Sequence, residues 1–294
     1  MFSMNKQKSF TLIELLVVIV IIGILASVII VSVSSSINKA NFAKAQSFSN
    51  TVQNELLGDL VSEWTFDIAS NPGEDTWGNN DGTVYGATYK TKASGECVYG
   101  GCYSFDGTDD YVEVSGNTAF DVNTITVGGW LKTSIDNNDH HPIILRNTFV
   151  SGTGNGFSVT RCRNGLSAGN KLRIMVVGDS SVGYLSSNNL INEDIWHHFI
   201  LTADGTQIKL YIDGFLNAVS SQPAGNIYQA GSSIYIGTNT SKDIFFNGYI
   251  DDVRIYNGAL SSAQIKQQYV AGLDSLYSKG IISESEFNDR ISGK

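Results

Sequence analysis

The chain has 294 residues, of which 42% are apolar and 16% charged, with a formal net charge of −9. A chain that acidic does not hold nucleic acid by neutralising phosphates, so none is expected among its partners; the charge suits an exterior surface or divalent cations. With 30 glycines, 11% aromatics and only 3 prolines in short alternating segments, mostly β structure is expected, and the length accommodates an anchor plus one sizeable domain.

The first element is the run Lys8 to Val33, almost wholly apolar except for Glu14. A bilayer core takes about 20 helical residues to cross, and this run is long enough. A lone carboxylate in such a segment is expensive and needs a partner or a function. No small-residue cleavage site follows the apolar core, as it would in a secretory signal. The residues Ser9-Phe10-Thr11-Leu12-Ile13-Glu14-Leu15-Leu16, preceded by Lys6 and Lys8, resemble the processing site of type IV prepilins and type II secretion pseudopilins. The resemblance implies that prepilin peptidase cuts between Ser9 and Phe10, methylates the new amino terminus and leaves the apolar helix in place. Ser9 stands where that family usually has Gly. It also implies that Glu14 pairs with the Phe10 amine of a neighbouring subunit. A carboxylate buried in an apolar filament core is costly unless so paired, and that cost sets the assembly register. Residues 1–9 are then a leader whose loss removes two lysines and leaves the chain more acidic still.

Beyond Val33 the helix is expected to continue. No Pro occurs between Ser32 and Leu60, and Ile37, Ala40, Phe48, Val52 and Leu56 fall on one helical face. The spacing predicts one helix over 10–61, with its membrane part at about 10–33, extending roughly 75 Å at 1.5 Å per residue.

From residue 62 the pattern changes to β. Trp64-Thr65-Phe66-Asp67 alternates, and a polar loop runs from Asn71 to Gly82. Strands are expected at Tyr103–Asp106, Tyr111–Val114, Ile125–Lys132, Ile143–Arg146, Gly156–Thr160 and Lys171–Val177. A meander follows: Trp196–Ala203, Gln207–Ile212 and Phe215–Val219, joined by Asp204-Gly205 and Asp213-Gly214, which are strong hairpin signals. Ile234–Gly237 and Phe246–Tyr256 close the series. Cys97 and Cys102 flank Val98-Tyr99-Gly100-Gly101, which reads as a tight hairpin. Outside the cytoplasm a Cys97–Cys102 disulfide is the favoured of three pairings, leaving Cys162 as a buried or free thiol; a metal clip at the same two cysteines is the rival reading.

Several motifs in this order are similar to the LamG-like jelly roll of the concanavalin A-like lectin/glucanase architecture: W-T-F-D at Trp64, D-T-W-G-N-N-D-G at Asp75, Y-S-F-D-G-T-D-D-Y-V-E-V at Tyr103, K-L-Y-I-D-G at Lys209 and N-G-Y-I-D-D-V-R-I-Y-N-G-A-L-S at Asn247. The resemblance covers residues 62–272 and implies two antiparallel sheets packed face to face. Leu260 to Tyr269 then reads as a short helix. Residues 273–294 read as a helical hairpin, stopped at Gly280 and restarted by a Ser283/Glu286 capping box, and resemble the short SHOCT module. The expected fold class is thus mainly β: a long N-terminal transmembrane α-helix, an antiparallel β-sandwich and a short C-terminal helical hairpin.

Glucanases of this architecture carry an E-x-D-x-E cluster on one strand, and glycoside hydrolysis needs paired acids. No such cluster occurs, so the chain is not expected to be an enzyme. Alternation places His197 and His198 on opposite faces of a strand, and His140-His141 reads as part of a solvated loop with Asp136 and Asp139. Calcium is the expected cofactor, since it takes six to eight oxygen ligands and the loop from Asp75 to Asp81 is rich in them. Alternation puts Asp251 on the face of Val253 and Ile255, where a carboxylate needs a cation or several backbone donors. LamG-like domains often hold a calcium ion where first and last strands meet, which makes Asp67, Asp75, Asn79 and Asp251 the candidate ligands. Side-chain caps of tight loops are the competing reading. The family further implies a glycan or protein ligand, with Trp77 and Tyr184 as stacking or core residues. The resulting expectation is a type IV pilin-like subunit, processed by prepilin peptidase, associated with other pilin subunits and anchored once in a bacterial-type inner membrane with its C-terminal domain outside the cytoplasm, then in a pilus or at the cell surface. A secretion-type pseudopilin is the alternative; a membrane-anchored hydrolase is disfavoured by the missing carboxylates.

Overall fold

A computed structural model describes residues 12–13, 15–22, 58–71, 73–134, 140–146, 155–162, 170–179, 181–223, 225–228 and 230–293. The chain divides into two units, residues 1–55 and 56–294. In the first, residues 12–13 and 15–22 are helical with exposed side chains. Among the described residues no helix is long and apolar enough to cross a membrane. Ser9, Phe10, Glu14 and most of the expected helix lie outside the described residues.

The second unit is a two-sheet sandwich followed by two helices. Its strands are β1 (Leu60–Trp64), β2 (Gly82–Tyr85), β3 (Thr88–Lys90), β4 (Cys102–Asp106), β5 (Tyr111–Val114), β6 (Ile125–Thr133), β7 (His140–Arg146), β8 (Gly156–Cys162), β9 (Lys171–Val177), β10 (Val182–Ser186), β11 (His197–Ala203), β12 (Gln207–Ile212), β13 (Phe215–Ser221), β14 (Ile234–Ile236) and β15 (Asn247–Tyr256). One sheet runs β13-β12-β11-β6-β15-β4-β3, with β1 also on β15; the other runs β10-β9-β8-β7-β14-β5-β2. All the pairings are antiparallel. Facing residues such as Phe105, Val127, Phe199, Leu210 and Val253 from one sheet meet Val112, Ile144, Val159, Ile174 and Ile236 from the other in a single core. The hairpin signals act as written. Asp213 and Gly214 both have positive φ, 52° and 75°, the backbone that a two-residue primed turn needs.

The first strand begins at Leu60, not in the Trp64–Asp67 segment. Phe66 takes a left-handed φ of 57° and leaves the ladder, which tucks its ring into the core. The pair Leu60-Val61, read as the end of a helix, is already strand. Three short strands, β2, β3 and β10, are absent from the sequence pattern: each is a sheet edge of only three to five residues, and glycine at Gly82 and Gly183 takes the place of an apolar side chain in two of them.

The larger correction concerns the C-terminus. α1 (Ser262–Ser278) is one helix running straight through Gly272, opened by a capping box between Ser261 and Gln264. α2 (Glu284–Ser292) follows, with Ser283 accepting from the Glu286 N–H as expected. Gly272 is no helix breaker. It is where the helix touches the sheet: a Cβ there would sit within 2.6 Å of Trp130 Cε2, and closer still to Cζ2. Tyr269, Leu273, Leu276 and Ile282 pack with Trp130 and Trp196 in a second apolar cluster on the outer face of the eight-stranded sheet. That cover explains why β11 is buried at every residue and β6 at all but Lys132. Strands covered on both faces lose the alternation that marks a half-exposed sheet.

Candidate functional site

The last strand carries the first candidate. β15 has an irregular register between Asp251 and Arg254: Asp251 faces Trp130 across the ladder and Arg254 faces Gly128. Two residues, Asp252 and Val253, therefore oppose Gly129 alone, and Asp252 has a left-handed φ of 53°. This is a β-bulge, which re-aims side chains. It breaks the expected alternation. Ile250, Val253 and Ile255 all face the sandwich core, while Asp251 turns outward to the loop 97–101.

There Asp251 Oδ2 accepts from the backbone N–H groups of Val98 (2.8 Å) and Tyr99 (3.1 Å). Asp251 is 0% exposed, and its Oδ1 has no partner. Burial, reinforced by the charge of Asp252, raises its pKa well above the usual carboxylate range against those two N–H groups. Asp67 reaches the same loop: its Oδ1 accepts from the Gly101 N–H at 2.6 Å. Burial also lifts Asp252 to about 6, opposed by Arg254, which bonds both Asp252 Oδ1 at 2.9 Å and Glu63 Oε1 at 2.6 Å. A cation from another element completes the surroundings. Lys279, just past α1, donates to the carbonyls of Cys97 (3.1 Å), Val98 (3.0 Å) and Tyr99.

The loop between these groups is closed by a Cys97–Cys102 disulfide, with Cα atoms 5.4 Å apart. It is not a hairpin. Cys102 opens β4 opposite Lys90 of β3, so the bridge pins the β3–β4 connection against the strand it feeds. Cys162 is a free thiol, half-buried, with His140 Nδ1 at 3.3 Å.

The four candidate metal ligands do not converge. Asp67 and Asp251 meet at the loop 97–101. Asp75 is spent on its own turn: Oδ1 accepts from the N–H groups of Glu63 (2.9 Å), Trp77 (3.2 Å) and Gly78 (2.9 Å), and Oδ2 from Asn80 N (3.1 Å) and Nδ2 (3.2 Å). Burial pushes the Asp75 carboxyl up, yet these donors outweigh it and hold it below its ordinary value. Asn79 is exposed. Its neighbour Asn80, which the sequence reading passed over, is the buried one and ties the loop to Ser62 Oγ, the Trp64 indole and Asn117. Among the described residues the one grouping of three such side chains within 4.8 Å is Asp106, Asp109 and Asp110, in the β4–β5 turn.

The histidines divide as their strand dictates. His197 Nδ1 lies 2.8 Å from Asp213 Oδ2 and its Nε2 accepts from Asn192 N–H. His198 lies under α1, its ring 5.0 Å from Trp130 and 6.1 Å from Tyr269. Its Nδ1 is buried without a partner. Trp77 and Tyr184 are surface residues, 47% and 56% exposed, not core.

Two antiparallel sheets with this strand order, a bulged last strand and a pinned loop define a jelly-roll sandwich of the lectin-like class. A family model for the concanavalin A-like lectin/glucanases superfamily matches residues 106–266, and the chain belongs to that superfamily. A second model, the prokaryotic N-terminal methylation motif, matches residues 4–30. The sandwich is similar to domain 4 of AbnA, an extracellular arabinanase of Geobacillus stearothermophilus solved with arabinotriose: 19% identity, TM-score 0.56, covering 71% of this chain and 97% of that one. It is also similar to the botulinum neurotoxin serotype D binding domain, at 16% identity and TM-score 0.55, covering 74% of this chain and 53% of that one. At those identities the likeness is one of fold. Adhesion G-protein coupled receptor V1 of Danio rerio is 29% identical over 100 residues, which are 33% of this chain and 2% of that protein.

Proposed function

We propose that the chain is a type IV pilin-like subunit that displays a lectin-like sandwich at the cell surface for adhesion or ligand binding. The observation that carries this is the joining of an N-terminal methylation motif to a concanavalin A-like domain in one chain. Prepilin peptidase cuts between Ser9 and Phe10 and methylates Phe10. The retained helix holds the subunit in the inner membrane by a single pass, with the sandwich outside the cytoplasm, until it enters a filament of like subunits. A Cys97–Cys102 disulfide suits that compartment. Glu14 neutralises the Phe10 amine of the next subunit and sets the register. Without an E-x-D-x-E strand, the domain is read as a binding module and not a hydrolase.

Mass spectrometry of the mature protein should find N-methyl-Phe10; an intact Met1 would remove the filament reading. The Glu14→Ala variant should be processed normally yet leave filaments depleted by about a hundredfold or more, since an unpaired amine in an apolar core costs about 3 kcal/mol or more. Wild-type assembly of that variant would refute the charge register. Immunogold labelling on long surface fibres distinguishes this subunit from a pseudopilin, whose label stays within the envelope.

Calcium belongs to the same proposal. Two carboxylates, Asp67 and Asp251, reach this loop with oxygens of the kind a hard cation takes, and the unpartnered Asp251 Oδ1 is the atom that asks for one. Asp251 and Asp67 would hold the ion, whose charge would relieve the repulsion between Asp251 and Asp252. Asp75 stays with its loop, and Lys279 already takes the carbonyls of residues 97–99. Ligand present at about 100 times its Kd stabilises by about 2.7 kcal/mol, so millimolar Ca²⁺ should raise the melting temperature by about 5–10 °C over chelator. Asp251→Asn should abolish the difference. An equal melting temperature with calcium and with chelator would eliminate the site.

A further inference from the structure

The outer face of the seven-stranded sheet carries an ordered aromatic array at its β2 edge. Val84, Val112 and Ile234 point into the core, so their neighbours Tyr85, Tyr111 and Tyr235 point out. Tyr85 stands opposite Tyr111 in the ladder. Their rings stack, with centroids 4.4 Å apart and planes 15° from parallel. Lys242 lies over the group, its ammonium 5.0 Å from the Tyr111 ring, 5.6 Å from Tyr235 and 5.9 Å from Tyr85. Glu113 anchors it: Oε2 accepts from Lys242 Nζ at 2.9 Å, and Oε1 accepts from the Tyr235 hydroxyl at 3.2 Å.

Two features separate this array from ordinary sheet packing. Tyr85 is 42% exposed although it is already stacked on one side, which leaves ring surface open to solvent on an edge strand. Lys242 also holds a left-handed φ of 54°. A non-glycine residue in that region is strained and persists where surrounding structure over-determines it. Here the Asn239 side chain does so, accepting from the Asp243 N–H at 3.1 Å and donating to its carboxylate at 2.6 Å. The strained turn brings the ammonium over the rings.

We propose that Tyr85, Tyr111, Lys242 and Glu113 form a saccharide-binding platform. This rests on the reading of the sandwich as a displayed binding domain and names its ligand class and its site. A sugar ring presents slightly positive C–H groups on one face, and an aromatic face is negative, so the open ring of Tyr85 offers a seat. Around it a sugar's hydroxyls need both donors and acceptors. Of its three N–H donors, Lys242 gives one to Glu113 and one to the Tyr111 hydroxyl, which leaves one free, and the Glu113 carboxylate retains lone pairs. Stacked bases would use the same rings, but a net charge of −9 repels their phosphates.

The test uses the full chain in detergent micelles, titrated calorimetrically with arabinotriose, xylotriose, cellotriose, maltotriose and chitotriose. Binding of at least one trisaccharide is expected. Tyr85→Ala should weaken it about tenfold, the stacking contribution of one ring. Tyr85→Phe, which keeps the ring, should stay within about threefold. Lys242→Met, at an exposed position, should weaken binding several-fold with the fold intact by circular dichroism. Leu216→Ala, exposed on the edge strand β13 of the other sheet, should leave it unchanged. Equal binding by wild type, Tyr85→Ala and Lys242→Met overturns the platform while keeping a saccharide-binding domain. No binding of any trisaccharide to the wild type overturns the platform and leaves the filament reading, tested at Phe10 and Glu14, untouched.

Discussion

Replacing Gly272 by alanine is expected to loosen the C-terminal helices from the sandwich. In a free helix that change stabilises by about 1 kcal/mol. Here the new methyl would lie within 2.6 Å of the Trp130 indole. The indole cannot yield, since it is buried and held against His198 and Tyr269. Overpacking of this kind costs about 1–3 kcal/mol, occasionally more, and rigid partners on every side place this case at the upper end. The net loss should be about 2 kcal/mol. Amide hydrogen exchange across α1 reads it directly, because a 2 kcal/mol loss of local stability speeds exchange about 30-fold. Trp130→Phe in the same chain removes the clashing ring and should restore over half of the protection, the signature of a coupled pair. Unchanged exchange in Gly272→Ala would show that the close approach does not hold the helix.

Acid should act at the same junction. Burial holds the His198 pKa down from 6.5 to about 3, against the favourable charge of Asp213. A base with a depressed pKa binds its proton more weakly in the folded chain than in the unfolded one. Its contribution is therefore intact above about pH 6.5, declines as pH falls, and is fully lost below about pH 3. The slope approaches about 1.4 kcal/mol per pH unit below the unfolded pKa and is half that at pH 6.5, so His198 should cost about 2 kcal/mol between pH 6.5 and 4.5. Asp251 and Asp252, with raised values, take up protons in the folded state and act in the opposite sense over part of that range. Asp213, held low chiefly by His197 against its burial, loses its contribution only in more acidic solution. The difference between wild type and His198→Phe isolates the histidine. The phenyl ring keeps the contact with Trp130 and Tyr269 but takes no proton. In urea denaturation, wild type should lose about 2 kcal/mol more than the variant between pH 6.5 and pH 4.5. Parallel pH profiles for the two chains would mean that the imidazole is already charged, or free of its burial penalty, in the folded protein.

Both expectations concern a contact between distant parts of the chain, and this is where the sequence was least legible. The Asp-Gly turns, the strands of the meander and the Ser283 cap follow from neighbouring residues and are where the pattern places them. Cys97 and Cys102 pair as their spacing suggests. Alternation places Asp251 on the face of Val253 and Ile255, whereas the folded strand turns it away from them toward the loop 97–101. Two-residue alternation has no means of showing the bulge at Asp252, whose left-handed backbone reverses the parity of everything after it. Gly272 marks the end of the sandwich in the sequence pattern, yet it lies inside α1. Only the approach of the Trp130 indole, 142 positions earlier in the chain, shows why a side chain is excluded there.

The modular plan is legible in linear order: a methylation segment at 4–30 and a concanavalin A-like domain spanning 106–266, each written in contiguous motifs. So are the local turns and caps, where a few adjacent residues decide the backbone. Which residues meet follows from the folded chain. It set Asp67 and Asp251 on one loop and left Asp75 on another, laid α1 over the outer sheet, and stacked Tyr85 on Tyr111 under Lys242. The reason is the range of the forces. Turn and cap preferences act over three or four residues, whereas apolar burial and cation–carboxylate attraction act between any groups that the folded chain brings within a few ångströms.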